Sequence, residues 1–474
     1  MRFHRSLAME TVRELPALSV GGGTVDVGDL DYQVRMQSGS IPPHLVSRLV
    51  ELGHVEEVEL WAGRGEWFCA QEWARLLAGQ GREEQALAVL TPYVATGWWT
   101  AVRATAELLE SWGRADEAIA LSRSRMEAGH PQALQFHARL LARHGRGDEA
   151  FDLLRPHIQD WSLAAALTDV ADDAGRDDEA AALLAAQIPD EHRCDGPWCC
   201  RGLDPDTAIG LLATIRERQG RIDDAIALLR TRDNNSLNNQ DQLADLLARQ
   251  DRTEELHAYA ATEPLGHAAR RLAELLEERG DVEGAIAVYR QAGDASICPG
   301  NVAVGLAQLL SRHGRVDEAV AVMRALADAP GGAEDWIVDI LCTLYADQGR
   351  PQDGLAYLDA LKARRGEEEW ELFWIRLPLM AACDRVDEAV EQTSYHPEGG
   401  TSYAVSHVAR LLAGAGRLEE AVAALEPHSS ANSHDLAGYL IDLGRVERAV
   451  VVLQQHSPKP PPPSPGPWHD TPPF

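Results

Sequence analysis

Apolar residues in this chain return at steps of three and four positions, the spacing of one face of an α-helix. A typical stretch contains Ala101, Val102, Leu108 and Leu109 and ends at the glycine Gly113. Stretches of this kind alternate with short polar corners from about residue 42 to about residue 453. The pattern therefore predicts an all-α protein built from many similar helices.

The corners recur at a nearly constant interval. Their spacing is 28 to 35 residues, with one interval of 45. A period in this range is typical of stacked supersecondary units rather than of a single globular core. We therefore predict an α-solenoid of about thirteen stacked antiparallel helix hairpins. The corner residues are Gly53, Gly81, Gly113, Gly145, Gly175, Gly220, Asp251, Gly280, Gly314, Gly349, Asp384, Gly416 and Gly444.

Each part of the repeated phrase has a physical role. A glycine just past the last helical turn can adopt positive φ without a Cβ penalty, and Asp tolerates that region better than most residues. Acidic residues three and four positions later, such as Asp148 and Glu149, lie in the first turn of the next helix, where the helix dipole favours negative charge. Alanine stands seven residues before nine corners and five residues after ten of them, so that the helices can approach closely.

The phrases AELLESWGRADEAIALSR and AQLLSRHGRVDEAVAVMR resemble the tetratricopeptide repeat. The resemblance covers roughly residues 42 to 453 and extends to the long tetratricopeptide proteins of actinobacteria. It implies a right-handed superhelix whose concave face binds peptides or protein segments. This chain departs from the family pattern in its mostly aliphatic residues at aromatic positions, and in Pro92, Pro156 and Pro427, which we expect to stop or kink the second helix early.

Composition divides the chain into three parts. Residues 1–40 lack a sustained helical period and contain three consecutive glycines, which indicates a flexible N-terminal segment. Residues 41–456 form the predicted solenoid, with an inserted loop at about 188–204 in the one long interval. Residues 457–474 are half proline, which predicts a disordered, extended tail.

Charge and cysteine content narrow the function classes. The formal net charge of −30 disfavours nucleic-acid binding, which relies on cationic contacts to phosphates. Seven cysteines in 474 residues do not suggest a disulfide framework, and the sequence contains no membrane-spanning apolar run. We therefore expect a reduced, cytoplasmic protein that binds neither nucleic acid nor membrane.

Two groups of residues invite a functional interpretation. His192, Cys194, Cys199 and Cys200 are a weak candidate for a zinc site, but they lack the paired C-x2-C spacing, so we predict no metal and no cofactor. Tryptophans could anchor a partner or fill gaps between small-residue helices, and we favour the second role. They are Trp67, Trp73, Trp98, Trp99, Trp112 and Trp161.

No catalytic motif for a nucleophile, a metal or a phosphate is present, so we predict a non-catalytic scaffold or adaptor that binds a protein or peptide. An all-helical enzyme with carboxylate catalysis and the sensor region of a regulatory system are the alternatives. We also raise self-association through the apolar last helix, or its coverage by the proline-rich tail. Residues ten and six positions before the corners are the partner-binding candidates: Arg103, Glu107, Gln135, Arg139, Asp241, Asp245, Arg270 and Glu274.

Overall fold

A computed structural model describes residues 19–20, 23–24, 27–36, 40–188, 202–232, 236–237, 240–329, 334–366 and 368–455. The metal candidates, most of the inserted loop and the proline-rich tail lie outside these residues. Two short antiparallel hairpins interrupt the helices, with Ser19 opposite Thr24 and Ser236 opposite Asp241. Their strands are β1 (Ser19–Val20), β2 (Gly23–Thr24), β3 (Ser236–Leu237) and β4 (Gln240–Asp241).

The rest of the described chain is helical, which confirms the all-α class and the helix-hairpin repeat. The first helices are α1 (Val27–Met36), α2 (Pro43–Glu51), α3 (Val55–Gly63), α4 (Trp67–Gly79), α5 (Glu83–Ala95), α6 (Trp99–Ser111), α7 (Ala115–Glu127), α8 (Pro131–Arg143), α9 (Gly147–Leu154), α10 (Trp161–Asp173), α11 (Asp177–Ala185), α12 (Pro205–Arg218) and α13 (Ile222–Leu229). The remainder are α14 (Gln242–Arg249), α15 (Thr253–Ala260), α16 (His267–Glu278), α17 (Val282–Ala295), α18 (Pro299–Arg312), α19 (Val316–Asp328), α20 (Asp335–Asp347), α21 (Pro351–Arg365), α22 (Trp370–Ala382), α23 (Val386–Tyr395), α24 (Ser402–Gly414), α25 (Leu418–Leu425), α26 (Ser433–Asp442) and α27 (Val446–Gln455).

The predicted corners form the thirteen helix–corner–helix repeats seen in the described residues. Every predicted corner residue has positive φ, including the two aspartates, which both have φ of 58°. At Gly113 the backbone N–H of Arg114 donates to the carbonyl of Leu109 at 2.8 Å, and the N–H of Gly113 donates to Glu110 at 2.9 Å. This pair of bonds is the Schellman motif, which satisfies the last carbonyls of the first helix while the chain turns.

Small residues lie where the helices cross, as the sequence predicts. The nine alanines before the corners are at most 1% exposed, and the ten alanines after them are fully buried. Burial at this level leaves no room for a longer side chain without moving a helix. The repeat period thus sets both the turn and the distance between the two helices.

A ladder of ion pairs follows the corners, and sequence reasoning did not foresee it. Eleven of the thirteen corners are followed directly by arginine. Among the described residues, this arginine pairs with the acid four positions after its own corner in nine repeats. The pairs are Arg114–Glu117, Arg146–Glu149, Arg176–Glu179, Arg221–Asp224, Arg252–Glu255, Arg315–Glu318, Arg350–Asp353, Arg385–Glu388 and Arg417–Glu420.

The same arginine also reaches back to the preceding repeat, to the acid three positions after that repeat's corner. We call each of these cross-repeat pairs a rung. Rungs with N–O distances between 2.5 and 3.9 Å include six among the described residues. They are Arg114–Glu84, Arg176–Asp148, Arg252–Asp223, Arg315–Glu283, Arg350–Asp317 and Arg445–Glu419. The paired acids therefore link neighbouring repeats in addition to facing the helix dipole.

The chain divides into two compact units, residues 1–133 with 401–474 and residues 134–400. In the first unit, part of the segment expected to be flexible forms α1. Leu30 of this helix is 1% exposed and packs with Trp67, Tyr93 and Trp98. The carboxylate of Asp31 accepts a hydrogen bond from Trp98 Nε1. Leu30, the partly buried Val34 and this long-range bond hold α1 against the core, and so few apolar contacts give no sustained local periodicity.

The tryptophans mostly fill the core, as favoured. Trp67, Trp98 and Trp99 are at most 6% exposed, whereas Trp161 is 69% exposed. Adjacent residues on a helix do not face the same way, yet both Trp98 and Trp99 are buried. Trp98 precedes α6 in an extended conformation. Helical spacing therefore does not govern its direction, and both rings can be buried.

The first and last repeats contact each other within the first unit. Arg48 of α2 donates from Nε to Asp442 of α26 at 2.7 Å. On α27, Val446, Val450 and Leu453 are at most 5% exposed. Self-association through an open apolar end is thus unsupported, because these apolar side chains are already buried within one chain. Coverage by the proline-rich tail concerns residues outside the described ranges and stays a prediction.

Proline has different effects in different repeats. Pro156 and Pro427 lie in 3-10 turns directly after α9 and α25, so these helices end early as predicted. Pro92 lies inside the thirteen-residue helix α5 and does not stop it, so of the two expected effects only a kink stays a prediction there.

Glu66 is buried at the contact between the first and last repeats. This residue is 6% exposed, and its carboxylate accepts a 3.4 Å hydrogen bond from Gln454 Nε2 of α27. Burial raises the pKa of Glu66 to about 7, although bonds from Gln454 and the backbone of Ile41 oppose the shift. Burial, and then the charge of Glu66, also raise the pKa of Cys69 and Tyr93 beside it. An ionisable group thus lies inside this contact.

We expect the rung between Arg315 and Glu283 to contribute a small, salt-sensitive energy. A double-mutant cycle with Arg315→Ala and Glu283→Ala, measured by urea unfolding, should give a coupling of about 0.2–1 kcal/mol, because both groups are near the surface. One molar salt should reduce it. The unpaired combination of Arg315→Ala and Asp335→Ala is the control, and equal coupling in both cycles would contradict the ladder.

We expect Glu66→Gln to change how stability depends on pH. In the wild type, the folded state holds Glu66 in its neutral form at a pH where the unfolded chain has already lost the proton. The free energy of unfolding of the wild type should therefore fall as pH rises from about 5 to about 8. Relative to wild type, the variant should gain up to about 3 kcal/mol over this range. Burial, and then the charge of His434, lower the pKa of His44. This shift contributes to the pH dependence of stability equally in the wild type and in the Glu66→Gln variant. Parallel stability curves for the two proteins would rule out this linkage.

Candidate functional site

The predicted partner-binding residues are distributed over both units. In the first unit, Arg103 and Glu107 are about half exposed and lie 3.9 Å apart on α6. In the second unit, Arg270 and Glu274 form a similar pair at 4.0 Å on α16. Side chains of this kind can exchange a neighbour on the same helix for a partner, so their role in binding stays a prediction.

The other four candidates already bond to neighbouring elements in the second unit. Gln135 Nε2 donates to the carbonyl of Ser162 at 3.3 Å, and Arg139 pairs with Asp169 at 2.7 Å. Asp245 pairs with Arg271 at 3.3 Å.

Asp241 is 4% exposed. It caps α14 through the N–H of Ala244 at 3.0 Å and accepts from the Tyr259 hydroxyl at 2.6 Å. The side chain of Asp241 is therefore engaged in structure.

The described residues offer no candidate metal site. Among them, no group of three or more His, Cys, Asp or Glu side chains is placed to hold an ion. The sequence candidates His192, Cys194, Cys199 and Cys200 lie outside the described ranges. No helix in the described part is long and apolar enough to cross a membrane.

A cavity of about 770 Å³ opens in the eleventh repeat, between α21, α22 and α23. We call it the repeat-11 cavity. Its repeat breaks the small-residue rule, because Leu377 stands where most repeats have alanine before the corner. On α21, Gly354 replaces the alanine after the corner, and a Cβ there would lie only 3.0 Å from Leu379. Pro378 follows within α22 and cannot donate a helical hydrogen bond.

A buried guanidinium forms the charged wall of the repeat-11 cavity. Arg376 is 7% exposed. It donates from Nε and Nη2 to Glu368 Oε1 at 3.1 and 2.8 Å, and from Nη1 to Asp359 Oδ1 at 2.7 Å. Lys362 Nζ contacts the other oxygen of Glu368 at 3.0 Å. Burial lowers the pKa of Arg376, but these two carboxylates outweigh it and raise the pKa overall.

The rings of Phe373, Tyr395 and His396 also line the cavity. The ring of His396 packs on Phe373 at 4.8 Å and on Trp370 at 5.4 Å between centroids. Its Nδ1 accepts from the backbone N–H of Glu398 at 3.2 Å, so Nε2 carries the proton that faces the carbonyl of Glu368 at 3.2 Å. Both ring nitrogens are engaged, which suits His396 to holding the loop. At the rim, Tyr395 is 78% exposed.

Comparisons with known proteins give fold likenesses only. No family model and no curated protein matches this chain. A structure of Naa15/Naa10 bound to HypK-THB is 14% identical, covers 87% of this chain and 79% of the matched chain, and has a TM-score of 0.35. The APC/C heterotetramer Cut9–Hcn1 is 12% identical, with coverages of 82% and 93% and a TM-score of 0.24. A tetratricopeptide repeat protein from Parabacteroides merdae ATCC 43184 is 14% identical. It covers 63% of this chain and 98% of the matched chain, with a TM-score of 0.27.

At sequence identities of 12–14%, these structures indicate similarity in the type of fold and nothing about function. The chain itself is tetratricopeptide-like. Its left-handed corners, helix pairs and buried crossing alanines are those expected from the resemblance of the repeated phrase.

The repeat-11 cavity was missed at the level of sequence. Trp370 and Phe373 belong to the core, since both are 5% exposed. The available signal was the departure from the repeat rule at Leu377, because a residue too large for the crossing position displaces a helix. Nothing local indicated that Arg376 would be buried between carboxylates of two other segments.

We expect Glu368→Ala to destabilise the second unit strongly. Removing this carboxylate leaves Arg376 buried with one acidic partner, which should cost on the order of 3 kcal/mol. The exposed neighbour Glu369 provides the control, since Glu369→Ala should change the free energy of unfolding by less than about 0.5 kcal/mol. Urea unfolding of both variants measures this, and equal effects would argue against a buried ion pair.

Proposed function

We propose that this protein is a non-catalytic interaction scaffold that binds a peptide segment of a partner protein in the repeat-11 cavity. The observation that carries the proposal is an exposed aromatic side chain, Tyr395, at the rim of a cavity of about 770 Å³. Ligand sites in proteins commonly enclose about 300–1,000 Å³. Exposed tyrosines beside such openings are frequent anchors in protein interfaces.

The chemistry of the walls suits recognition. Phe373 offers an apolar surface, and Lys362, Arg376 and Asp359 offer charged hydrogen-bonding groups. A segment with mixed side chains can satisfy both kinds of surface, because binding sites combine apolar area with a few placed polar groups.

Catalysis is less well supported by the same walls. The carboxylate of Glu368 accepts hydrogen bonds from Arg376 and Lys362, and the His396 ring is bonded at both nitrogens. A general acid or base needs a group free to exchange a proton with substrate. An all-helical enzyme and a sensor region therefore remain second to a scaffold, and a cytoplasmic location remains a prediction.

The predicted surface on the first helices of the repeats is the competing location for a partner. Arg103, Arg139 and Arg270 are its cations, and their charges are already balanced by neighbouring acids. A partner would have to displace these acids. The repeat-11 cavity instead provides preformed space, which lowers the cost of binding.

We expect the full-length protein to enrich specific sequences from a phage-displayed library of random twelve-residue peptides. Synthetic copies of the enriched peptides should bind with measurable fluorescence anisotropy. Tyr395→Ala should weaken binding by about tenfold or more, the effect of losing one aromatic anchor. Trp161→Ala removes another highly exposed aromatic side chain, which does not line the cavity, and should leave affinity unchanged.

Each other result has a defined meaning. Failure to enrich any peptide would overturn peptide binding. Enrichment that is insensitive to Tyr395→Ala would overturn the repeat-11 site. Loss of binding on reversing Arg103, Arg139 and Arg270 to Glu, with Tyr395→Ala silent, would move the site to the first helices of the repeats.

A further inference from the structure

The ladder of ion pairs has an exception beside the repeat-11 cavity. The residue three positions after the corner, which supplies the carboxylate of each rung, is acidic in twelve of the thirteen repeats. The exception is Gln352, three residues after Gly349. In the other rungs, this position pairs with the arginine that follows the next corner. For Gln352, that arginine is Arg385.

The atoms of Arg385 follow the pattern of the other ladder arginines. Arg315 is typical: Nε and Nη2 bond to Glu318 of its own repeat, and Nη1 extends to Glu283 of the preceding repeat at 2.5 Å. In Arg385, Nε and Nη2 likewise donate to Glu388, at 2.7 and 2.6 Å. Its Nη1 has no hydrogen-bond partner in the described part of the chain, and the position that would supply a rung carboxylate carries Gln352 instead.

This Nη1 group belongs to a side chain that lines the repeat-11 cavity. Arg385 contributes to its wall together with Lys362 and Arg376. Glu388 raises the pKa of Arg385, and Cys383 and Asp359 add smaller effects, so its charge is secure. Asp359 does not replace the missing rung: its Oδ1 bonds to Arg376, and among the described residues the hydrogen bonds and ion pair of Arg385 go to Glu388.

We propose that the repeat-11 cavity binds a partner segment through one Asp or Glu side chain, whose carboxylate takes the rung position opposite Arg385. This rests on the proposed function, in which the cavity receives a peptide. Guanidinium–carboxylate hydrogen bonds are short and strong, and the other rungs show that the Nη1 position suits a carboxylate supplied by a separate helix. Tyr395 and Phe373 then contact apolar side chains next to the acid.

Charge limits the partner to a single acidic residue at this point. The cavity walls carry three cations, Lys362, Arg376 and Arg385, and also four carboxylates, Asp359, Glu368, Glu369 and Glu398. The whole chain has a formal charge of −30. A run of acids would be repelled by both, whereas one carboxylate facing Arg385 meets a local donor at short range, where screening is weak.

The test compares two phage-displayed twelve-residue libraries, one complete and one without Asp and Glu. Peptides from the complete library should share one acid, and blocked synthetic versions should bind as well as those with free ends, since the site takes a side chain. Arg385→Gln should weaken their binding by about tenfold. Gln352→Glu should weaken it too, because it completes the rung from within. Arg315→Gln, whose rung is already filled, should leave affinity within about twofold.

The outcomes separate the inference from the proposed function. If acid-free peptides bind equally well and still depend on Tyr395, the scaffold stands and the carboxylate inference is overturned. If neither library yields binders, both are overturned. If affinity requires a free C-terminus, the carboxylate is terminal and the side-chain inference fails. Circular dichroism should show Arg385→Gln and Gln352→Glu folded as wild type, so that lost binding reports the site.

Discussion

The left-handed corner is the constraint on which the rest of the structure depends. One residue at positive φ reverses the chain, and the Schellman bonds around it end the first helix at a fixed position. The arginine and the two acids that follow most corners are then held at the same place in successive repeats. Small residues at fixed distances on either side set how closely the helices cross. One backbone conformation thus coordinates turning, packing and charge.

The ion-pair ladder explains why arginine follows most corners and why acids stand three and four positions after them, which helix propensity alone does not explain. Acids in the first turn favour the helix dipole, but that effect does not distinguish the third position after the corner from the fourth. The structure assigns them separate tasks, since the fourth position pairs within the repeat and the third pairs with the next repeat. Each exposed pair contributes little alone. Repetition makes the set a shared link between successive hairpins.

Function is most reasonably sought where the repeat rules fail together. The eleventh repeat has a large residue at the helix crossing, a proline inside its first helix and no acid at the rung position that serves it. These departures coincide with a cavity and a buried arginine. In natural proteins, local rules tend to be broken at functional sites, where stability is exchanged for binding. Regular repeats elsewhere are explained by folding alone.

By itself, the sequence determined the local and periodic features: the thirteen corners, the helices that flank them and the alanines at the crossings. These follow from φ preference, helix propensity and side-chain size, which act over a few residues. Tertiary structure alone decided the contact between Arg48 and Asp442, the burial of Glu66 and Trp98, and the enclosure of Arg376. Each joins residues far apart in the chain or in separate elements, and a repeat period carries no information about which distant surfaces meet.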